Sequence, residues 1–479
     1  MTEGPTRWIK VLDQSRCIGC HACTTACKSE NEVPLGVTRT FVKSVDVGIF
    51  PQARRAFQVT RCNQCEDAPC VTACPTQAMY RREDGIVDFD KQICIGCKAC
   101  MAACPYDAIF INPDDHSAEK CNLCAHRLDV GLEPACVTVC PTEAILVGDL
   151  FDPTSKVAAI VGREAVQVRK PEKQTKPGVF YKGAHQATLD PLAARRPPGG
   201  LYAWATQERH PLVAGPATST AAALISYDIP HQAPWGWRVS LYTWTKSIAA
   251  GGFAVPVALA AAGSLSWTST LVRWGAPILG LIFLALTGAL LIWDLKHPMR
   301  FYLIFTRHQW RSWLVRGSVI ISGYGAALAL YLLTGSRLIG WIAMVLAVPT
   351  AVYTAYLFAQ AKARDMWQSP LLAPHLAVQA ALAGAAVAVL SSSSRAAMIV
   401  LVATAAAHLA LVAAEITVPH GTAHAHLATR ELYRGRYRVP FWASAALIAA
   451  GIFAPPLALL GLLAYEHAYV RAGQCVALA

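Results

Sequence analysis

The chain has 479 residues, of which 54% are hydrophobic, 15% charged and 17 are cysteines, with a formal net charge of +12. The length allows about three domains at roughly 150 residues each, and a charged fraction far below the roughly one quarter of soluble globular proteins excludes a wholly soluble chain. The charge surplus does not point to nucleic acid: residues 1–160 hold 16 Lys and Arg against 20 Asp and Glu, residues 161–237 hold 9 against 5, and residues 238–479 hold 17 against 5, so the excess lies in the linker and the apolar half.

In chain order, the start MTEGPTRWIKVLDQSRC has no apolar leader core and no twin-arginine pair, so the segment that follows is not expected to be exported on its own. Sixteen of the cysteines then fall between Cys17 and Cys140. Cysteine-dense small domains are usually secreted disulfide scaffolds, but here the spacing argues otherwise. The runs Cys17-x2-Cys20-x2-Cys23-x3-Cys27 and Cys94-x2-Cys97-x2-Cys100-x3-Cys104-Pro105 are the ligand pattern of bacterial ferredoxins. Cys62-x2-Cys65-x4-Cys70-x3-Cys74-Pro75 and Cys121-x2-Cys124-x11-Cys136-x3-Cys140-Pro141 are variants of it.

Three cysteines close together in a turn can grip three irons of one cubane, and the fourth, leaving before a proline, ligates the other cluster of a pair. Four groups of four therefore predict four [4Fe-4S] clusters. Zinc sites take four ligands from two Cys-x2-Cys pairs and have no use for the recurring x3-Cys-Pro. Pro75-Thr76-Gln77-Ala78, Pro105-Tyr106-Asp107-Ala108-Ile109 and Pro141-Thr142-Glu143-Ala144-Ile145 read as short helices beside the clusters, and Gly85-Ile86-Val87-Asp88-Phe89 as a hairpin strand. No Gly-rich nucleotide loop, phosphate loop or nucleophile elbow supports an NAD, ATP or hydrolase reading.

With Gly148-Asp149-Leu150-Phe151-Asp152-Pro153 and Thr175-Lys176-Pro177-Gly178-Val179-Phe180-Tyr181 after the last run, residues 7–182 resemble the four-cluster subunit of molybdopterin oxidoreductases such as dimethyl sulfoxide, polysulfide and tetrathionate reductases. The resemblance implies that the first run pairs with the fourth and the second with the third, so that Cys27 serves the fourth group's cluster and Cys140 the first's. It also implies a molybdopterin catalytic subunit as partner.

Residues 183–237, with Arg195-Arg196-Pro197-Pro198-Gly199-Gly200, have neither a helical nor a strand period and read as an irregular tether. Trp235 and Trp237 at its end are expected at the lipid headgroup level. Apolar stretches long enough for a bilayer then run from Trp244 to about Trp267, Trp274 to Trp293, Trp313 to Leu333, Leu338 to Ala359, Leu371 to Leu390 and Ala396 to Ala414. The region Gly435 to Ala472, interrupted by Pro455-Pro456, is too long for one crossing and is expected to form two, for about eight transmembrane helices. The predicted architecture is an α+β ferredoxin-like iron-sulfur domain (1–182), a linker (183–237) and an all-α polytopic membrane domain (238–479).

Loop charges set an orientation. Lys296, Arg300, Arg307, Arg311, Lys362, Arg364, Arg430, Arg434, Arg436 and Arg438 fall on the side of the N-terminal domain, with Arg316 just inside the third helix, against Arg273, Arg337 and Arg395 opposite. This positive-inside pattern places the iron-sulfur domain in the cytoplasm and the protein in the inner membrane.

Asp294-Leu295-Lys296-His297-Pro298-Met299-Arg300-Phe301, Ser312-Trp313-Leu314-Val315-Arg316-Gly317, Ala249-Ala250-Gly251-Gly252 and Ala472-Gly473-Gln474 are similar to segments of the polysulfide-reductase-type (NrfD-like) anchors. That resemblance, over about residues 238–475, implies an eight-helix, haem-free protein exchanging electrons with menaquinone or ubiquinone, here fused to its cluster subunit. Ionisable groups inside a membrane are costly and functional by default. Tyr242, Lys246, Asp294, His297, Arg300 and Glu415 are therefore the candidate quinone residues, near His420, His424 and His426. His408 is the single mid-span histidine in this reading, and no haem is expected. Cys475 has no evident role.

Overall fold

The computed structural model describes residues 6–195, 223–392 and 394–478. They divide into two compact units, Met1–Gln232 with Ala477–Ala479, and Ala233–Val476.

The first unit is built from β1 (Trp8–Asp13), α1 (Ala22–Glu30), β2 (Thr40–Val47), β3 (Arg54–Arg61), α2 (Pro69–Ala73), β4 (Met79–Arg81), β5 (Val87–Phe89), α3 (Ala99–Ala103), β6 (Ile109–Ile111), β7 (Ala118–Lys120), α4 (Ala125–Leu128), α5 (Ala135–Thr138), β8 (Ile145–Asp149), α6 (Lys156–Arg163), β9 (Val166–Gln167), β10 (Val179–Lys182), α7 (Gln186–Leu189), β11 (Ala194–Arg195) and β12 (Ala223–Tyr227). Two four-stranded sheets, in the orders β8-β1-β10-β9 and β11-β12-β2-β3, accompany the hairpins β4-β5 and β6-β7.

The cysteine-proline steps shape the local backbone. A residue before proline is pushed out of the helical region, and Cys74 and Cys104 accordingly sit at ψ 120° and 110°, ending α2 and α3. The segments after those prolines are not the expected short helices. They are turns, each with one residue at positive φ (Gln77 60°, Asp107 49°, Glu143 49°), which lead into β4, β6 and β8. The helices lie before the prolines instead and carry the third cysteine of each run, Cys70, Cys100 and Cys136.

The Thr175-Lys176-Pro177-Gly178 segment runs along the second cysteine run: Asp67 N donates to Thr175 O (3.2 Å), Glu66 N to Lys176 O (3.0 Å) and Gly178 N to Asn63 O (2.8 Å). A Cβ at position 178 would lie 2.9 Å from Gln64 O, so the approach requires glycine.

The expected tether is partly structured. Residues 223–227 form β12, whose antiparallel partner is β2, with Ile225 opposite Val45. That pairing is a contact across some 180 residues, which a search for local periodicity cannot see. His231 holds the following residues, with Nδ1 2.6 Å from Asp107 Oδ2 and Nε2 3.0 Å from Asp228 Oδ1. Arg196, Pro197, Pro198, Gly199 and Gly200 lie outside the described residues.

In the second unit, α8 (Trp237–Ala261), α9 (Ala276–Asp294, preceded by a π turn from Leu271), α10 (Leu303–Thr306), α11 (Trp313–Thr334), α12 (Arg337–Ala359), α13 (Leu372–Ser391), α14 (Arg395–Thr417), α15 (Ala423–Tyr433), α16 (Arg438–Ala450) and α17 (Pro455–Ala472) follow in order. Among the described residues six helices are long and apolar enough to cross a membrane: α8, α9 with its π turn, α11, α12, α13 and α14. The last apolar region is two helices, with Pro455 and Pro456 in the first turn of α17, where a missing N–H costs nothing. α16 has 13 residues.

Small residues let the helices of the bundle approach: Gly251 of α8 packs against Ala380 and Gly384 of α13. Trp235 is not at a lipid-facing position. It is buried and stacks on Phe358 (5.6 Å) and Trp367 (5.4 Å), whereas Trp237 is half exposed. Arg364, one of the expected topological charges, is buried and donates to Gln474 O and Val476 O, both at 3.3 Å. The Cys475 thiol donates to Ala472 O (2.9 Å), closing the last turn.

Candidate functional site: four sulfur cages and a buried polar cluster

The loops that carry the cysteines turn backbone N–H groups toward sulfur. Gly19 N donates to Cys17, Gln64 N to Cys62 (3.5 Å) and Leu123 N to Cys121, the same position of three runs. Met79 N, Ala118 N and Ala144 N donate to Cys74 (3.4 Å), Cys94 (3.4 Å) and Cys140 (3.3 Å). Such N–H donors stabilise negative charge on a thiolate.

The sulfurs fall into four groups by the charges that act on one another. Cys17 is influenced by Cys20, Cys23 and Cys140. Cys27 is influenced by Cys121, Cys124 and Cys136. Cys65 stands with Cys62 and Cys104, and Cys70 with all three. Cys100 stands with Cys94, Cys97 and Cys74. Cys74, Cys94, Cys97 and Cys100 also line one cavity of about 350 Å³, counted to its open mouth.

Links between groups run from Cys23 to Cys136, from Cys62 to Cys121 and from Cys100 to Cys70. The order is therefore first cage (Cys17, Cys20, Cys23, Cys140), second (Cys27, Cys121, Cys124, Cys136), third (Cys62, Cys65, Cys70, Cys104) and fourth (Cys74, Cys94, Cys97, Cys100). Cys20, in the first cage, is exposed.

The cages fit iron-sulfur cubanes better than single ions. Among the described residues no three His, Cys, Asp or Glu side chains meet closely enough to hold one metal ion, whereas a zinc site would bring four sulfurs to about 2.3 Å from one centre. The surroundings are also prepared for an anion. Lys10, Arg61 and Lys120 are fully buried among the cages, and a buried cation needs a counter-charge. Arg61 Nη1 donates to Cys136 Sγ (3.2 Å) and Lys10 Nζ to the same sulfur (3.5 Å). Burial raises the Cys136 thiol, but Lys10 and Arg61 outweigh it and bring it down to about 7. Cys27, by contrast, is pushed up by burial to about 12. Loading such cages displaces protons from most of the thiols.

The second unit holds a cluster of buried polar groups. Lys246 of α8 is fully buried and does not snorkel: its Nζ donates to Ala351 O (2.7 Å) and Thr354 Oγ1 (2.6 Å) and lies 4.9 Å from the Tyr353 ring centroid. Glu466 of α17 is buried near the side chains of Thr243 and Gln379, and its charge acts on Lys246. Tyr242, one turn before Lys246, is buried and feels the charges of Asp294 and Glu466.

Four residues before Gln379 on α13, His375 Nε2 contacts His408 Nδ1 of α14 (3.0 Å), and Tyr465 Oη lies 3.4 Å from His375 Nδ1. Glu415 Oε2 accepts from Ser369 Oγ (3.3 Å), while Oε1 is buried without a partner, and its charge acts on Tyr465.

Of the six candidate quinone residues the structure thus gathers Tyr242 and Lys246, sets Asp294 in electrostatic reach of Tyr242, and places Glu415 in the neighbouring His-Tyr group. His297 and Arg300 belong to the turn after α9. The sequence reading missed His375, Gln379, Tyr353, Thr354, Tyr465 and Glu466. His408 is therefore not isolated: it meets His375 of the first turn of α13. Its partner lies on an adjacent helix, with the two ring nitrogens in direct contact. The i, i+4 spacing of His375 and Gln379 and the carboxylate inside α17 were the available signals.

Comparison with known proteins agrees with both halves. Residues 8–29 match the 4Fe-4S binding domain model, residues 53–150 the 4Fe-4S dicluster domain, and residues 227–470 the model of polysulphide reductase, NrfD. The protein is 44% identical over 200 residues to the B component of tetrathionate reductase from Salmonella typhimurium, a match covering 40% of this sequence and 78% of that one. It is 44% identical over 173 residues to the B component of polysulfide reductase from Wolinella succinogenes (36% and 91%) and 47% identical over 169 residues to the thiosulfate reductase electron transfer subunit PhsB of Salmonella typhi (35% and 87%). The protein therefore belongs to the polysulphide reductase NrfD family through its membrane half, fused to an iron-sulfur domain of the kind found in the B components of these reductases.

Proposed function

We propose that this protein carries electrons one at a time between a molybdopterin-containing catalytic subunit and the membrane quinone pool. The observation that carries the reading is the sorting of sixteen cysteines into four cages in one line, in a polypeptide continuous with an NrfD-type bundle. Each cage would hold a [4Fe-4S] cluster, which supplies one-electron transfer when bound. The protein around it holds the thiolates in place, excludes water from the buried cages and neutralises their charge through N–H donors and buried cations. The partner is inferred from the relatives, whose names are those of components of tetrathionate, polysulfide and thiosulfate reductases.

In the membrane half, reduction of a quinone to its quinol takes up two electrons and two protons, so the site needs donors at the ring carbonyls and groups that move protons. Lys246, Tyr242 and Thr354 are the donors, and Glu466, Glu415, Asp294 and the His375–His408–Tyr465 group hold and pass protons. His297 and Arg300 are kept as outer contacts. In this reading α16 and α17 complete eight spans, no haem is bound, and the loop charges put the iron-sulfur domain on the cytoplasmic face of the inner membrane.

The test is purification of the full-length protein with its partners. The expected result is about 16 irons per molecule, a co-purifying pterin-containing subunit, and reoxidation of reduced clusters by a menaquinone or ubiquinone analogue. Half that iron, or clusters that no quinone reoxidises, would sink the proposal, and a haem-bearing partner would move the protein to a cytochrome-linked complex. Cleavage before residue 160 from the outer face alone, in sealed vesicles, would reverse the orientation.

A further inference from the structure

The four cages are electrostatically uneven. The first has an exposed cysteine, Cys20, and two part-exposed ones, Cys17 and Cys140. In the third, Lys120 is the buried cation, yet its Nζ donates to backbone, the carbonyls of Val87 and Cys121, rather than to sulfur. The fourth receives backbone N–H groups at Cys74 and Cys94, and the cation acting on Cys97 is the part-exposed Lys98.

The second cage differs. Two fully buried cations, Arg61 and Lys10, converge on Cys136 at 3.2 and 3.5 Å, and Asn31 Nδ2 reaches Cys27 Sγ (3.7 Å) and Cys124 Sγ (3.8 Å). Arg61 Nε and Nη2 are buried with no other partner, so its charge is left to the sulfurs, to Cys136 and Cys121 of this cage first and then to Cys23 of the first cage. No carboxylate pairs with either cation among the described residues.

Adding an electron to a buried anionic cluster is opposed by low dielectric and favoured by nearby cations and hydrogen-bond donors, which raise its potential. Resting on the reading of the cages as iron-sulfur sites, we propose that Arg61 and Lys10 are potential-setting residues that make the second cage the most oxidising of the four. It is then an electron-holding position inside the line rather than at either end. A reduced molecule would keep its first electron there, and transfer onward would be uphill from that point.

The experiment is a redox titration of the full-length protein with its iron, followed by electron paramagnetic resonance, on the parent and on Arg61→Gln, Arg61→Lys and Lys10→Gln. The signal of the second cage is identified as the one altered by Cys136→Ser. In the parent that signal is expected to have the highest midpoint potential. In Arg61→Gln its one-electron equilibrium should move at least tenfold toward the oxidised form, about 59 mV, with a smaller shift at the first cage, whose Cys23 also feels the Arg61 charge, and the other two midpoints in place. Lys10→Gln should act in the same direction, and Arg61→Lys should restore most of the loss. Should Arg61→Gln lose iron, Lys10→Gln and Arg61→Lys decide.

Full iron with an unmoved midpoint, or a larger shift in another cluster than in the second, overturns the proposal. Failure of the underlying reading looks different: the parent itself would lack four [4Fe-4S] signals or the matching iron content.

Discussion

Gly251→Ala and its neighbour Gly252→Ala should have unequal consequences. A Cβ on Gly251 would stand 1.7 Å from Ala380 O and 3.0 Å from Gly384 N, both backbone atoms of the facing helix, and one on Gly384 would stand 2.1 Å from Gly251 O. Carbon–oxygen contacts begin at about 3.3 Å, so α8 and α13 must part by roughly 1.6 Å, the difference between 3.3 and 1.7. Overpacking of this kind costs about 3 kcal/mol, at the upper end of its usual range, and the better helix propensity of alanine returns about 1 kcal/mol. A net loss of about 2 kcal/mol corresponds to a fall of about 4–8 °C in Tm for a unit of this size.

A Cβ on Gly252 meets the Leu279 Cδ2 atom at 2.6 Å, the far end of a flexible side chain that can move. That substitution should be within about 1 kcal/mol of neutral. Gly288, with nothing within 4 Å, is the control. The assay is thermal unfolding of the detergent-solubilised full-length protein by tryptophan fluorescence. A Gly251→Ala protein that melts with the parent, or a Gly252→Ala protein that melts lower than Gly251→Ala, would refute the crossing as described. Lys246 and Gln379 lie on the two helices concerned, so parting them should also weaken quinone-dependent reoxidation.

The His231 imidazole, lowered by burial but raised more by Asp107 and Asp228, titrates at about 9. Raised above its unfolded value of about 6.5, it contributes about 3 kcal/mol that is complete below pH 6.5 and lost as pH rises through 9. Hydrogen exchange around residues 226–231, corrected for intrinsic rate, should accelerate over that window, and His231→Gln should flatten the dependence. Cys140→Ser should perturb the cluster of Cys17, Cys20 and Cys23 and spare that of Cys121, Cys124 and Cys136, while Cys27→Ser should do the reverse. Magnetic resonance of the two variants reads this, and the opposite pattern would uncross the cages. Lys246→Met leaves Glu466 buried without its facing cation and should cost about 3 kcal/mol, whereas adding Glu466→Gln should recover part of that. Equal or additive losses in a double-mutant cycle would mean the two groups do not interact.

Much of this molecule was legible in sequence because its strongest signals are local. Cysteine spacing within a run is set by one turn of chain, and a membrane span is a run of apolar residues whose length is dictated by the bilayer. The four grouped runs of cysteines, the six long apolar helices and the break at Pro455-Pro456 all follow from such short-range rules. Even so, the helices beside the cages were expected on the wrong side of each proline, because the cadence of Pro-x-x-Ala does not reveal that its third residue turns to positive φ.

What remained belonged to the folded molecule because it depends on residues far apart in the chain. β12 exists through its pairing with β2. Trp235 is buried because Phe358 and Trp367 come to it, and Arg364 is consumed by carbonyls beyond the end of α17. The polar cluster needed five helices to bring Lys246, Thr354, His375, His408 and Glu466 together. Above all, the spacing of the cysteines was enough to require that four cages could form, whereas their order in a line, and the convergence of Lys10 and Arg61 on Cys136, were set by packing. A buried charge finds its partner through space, and residues 10, 61 and 136 meet only when β1, β3 and α5 are folded.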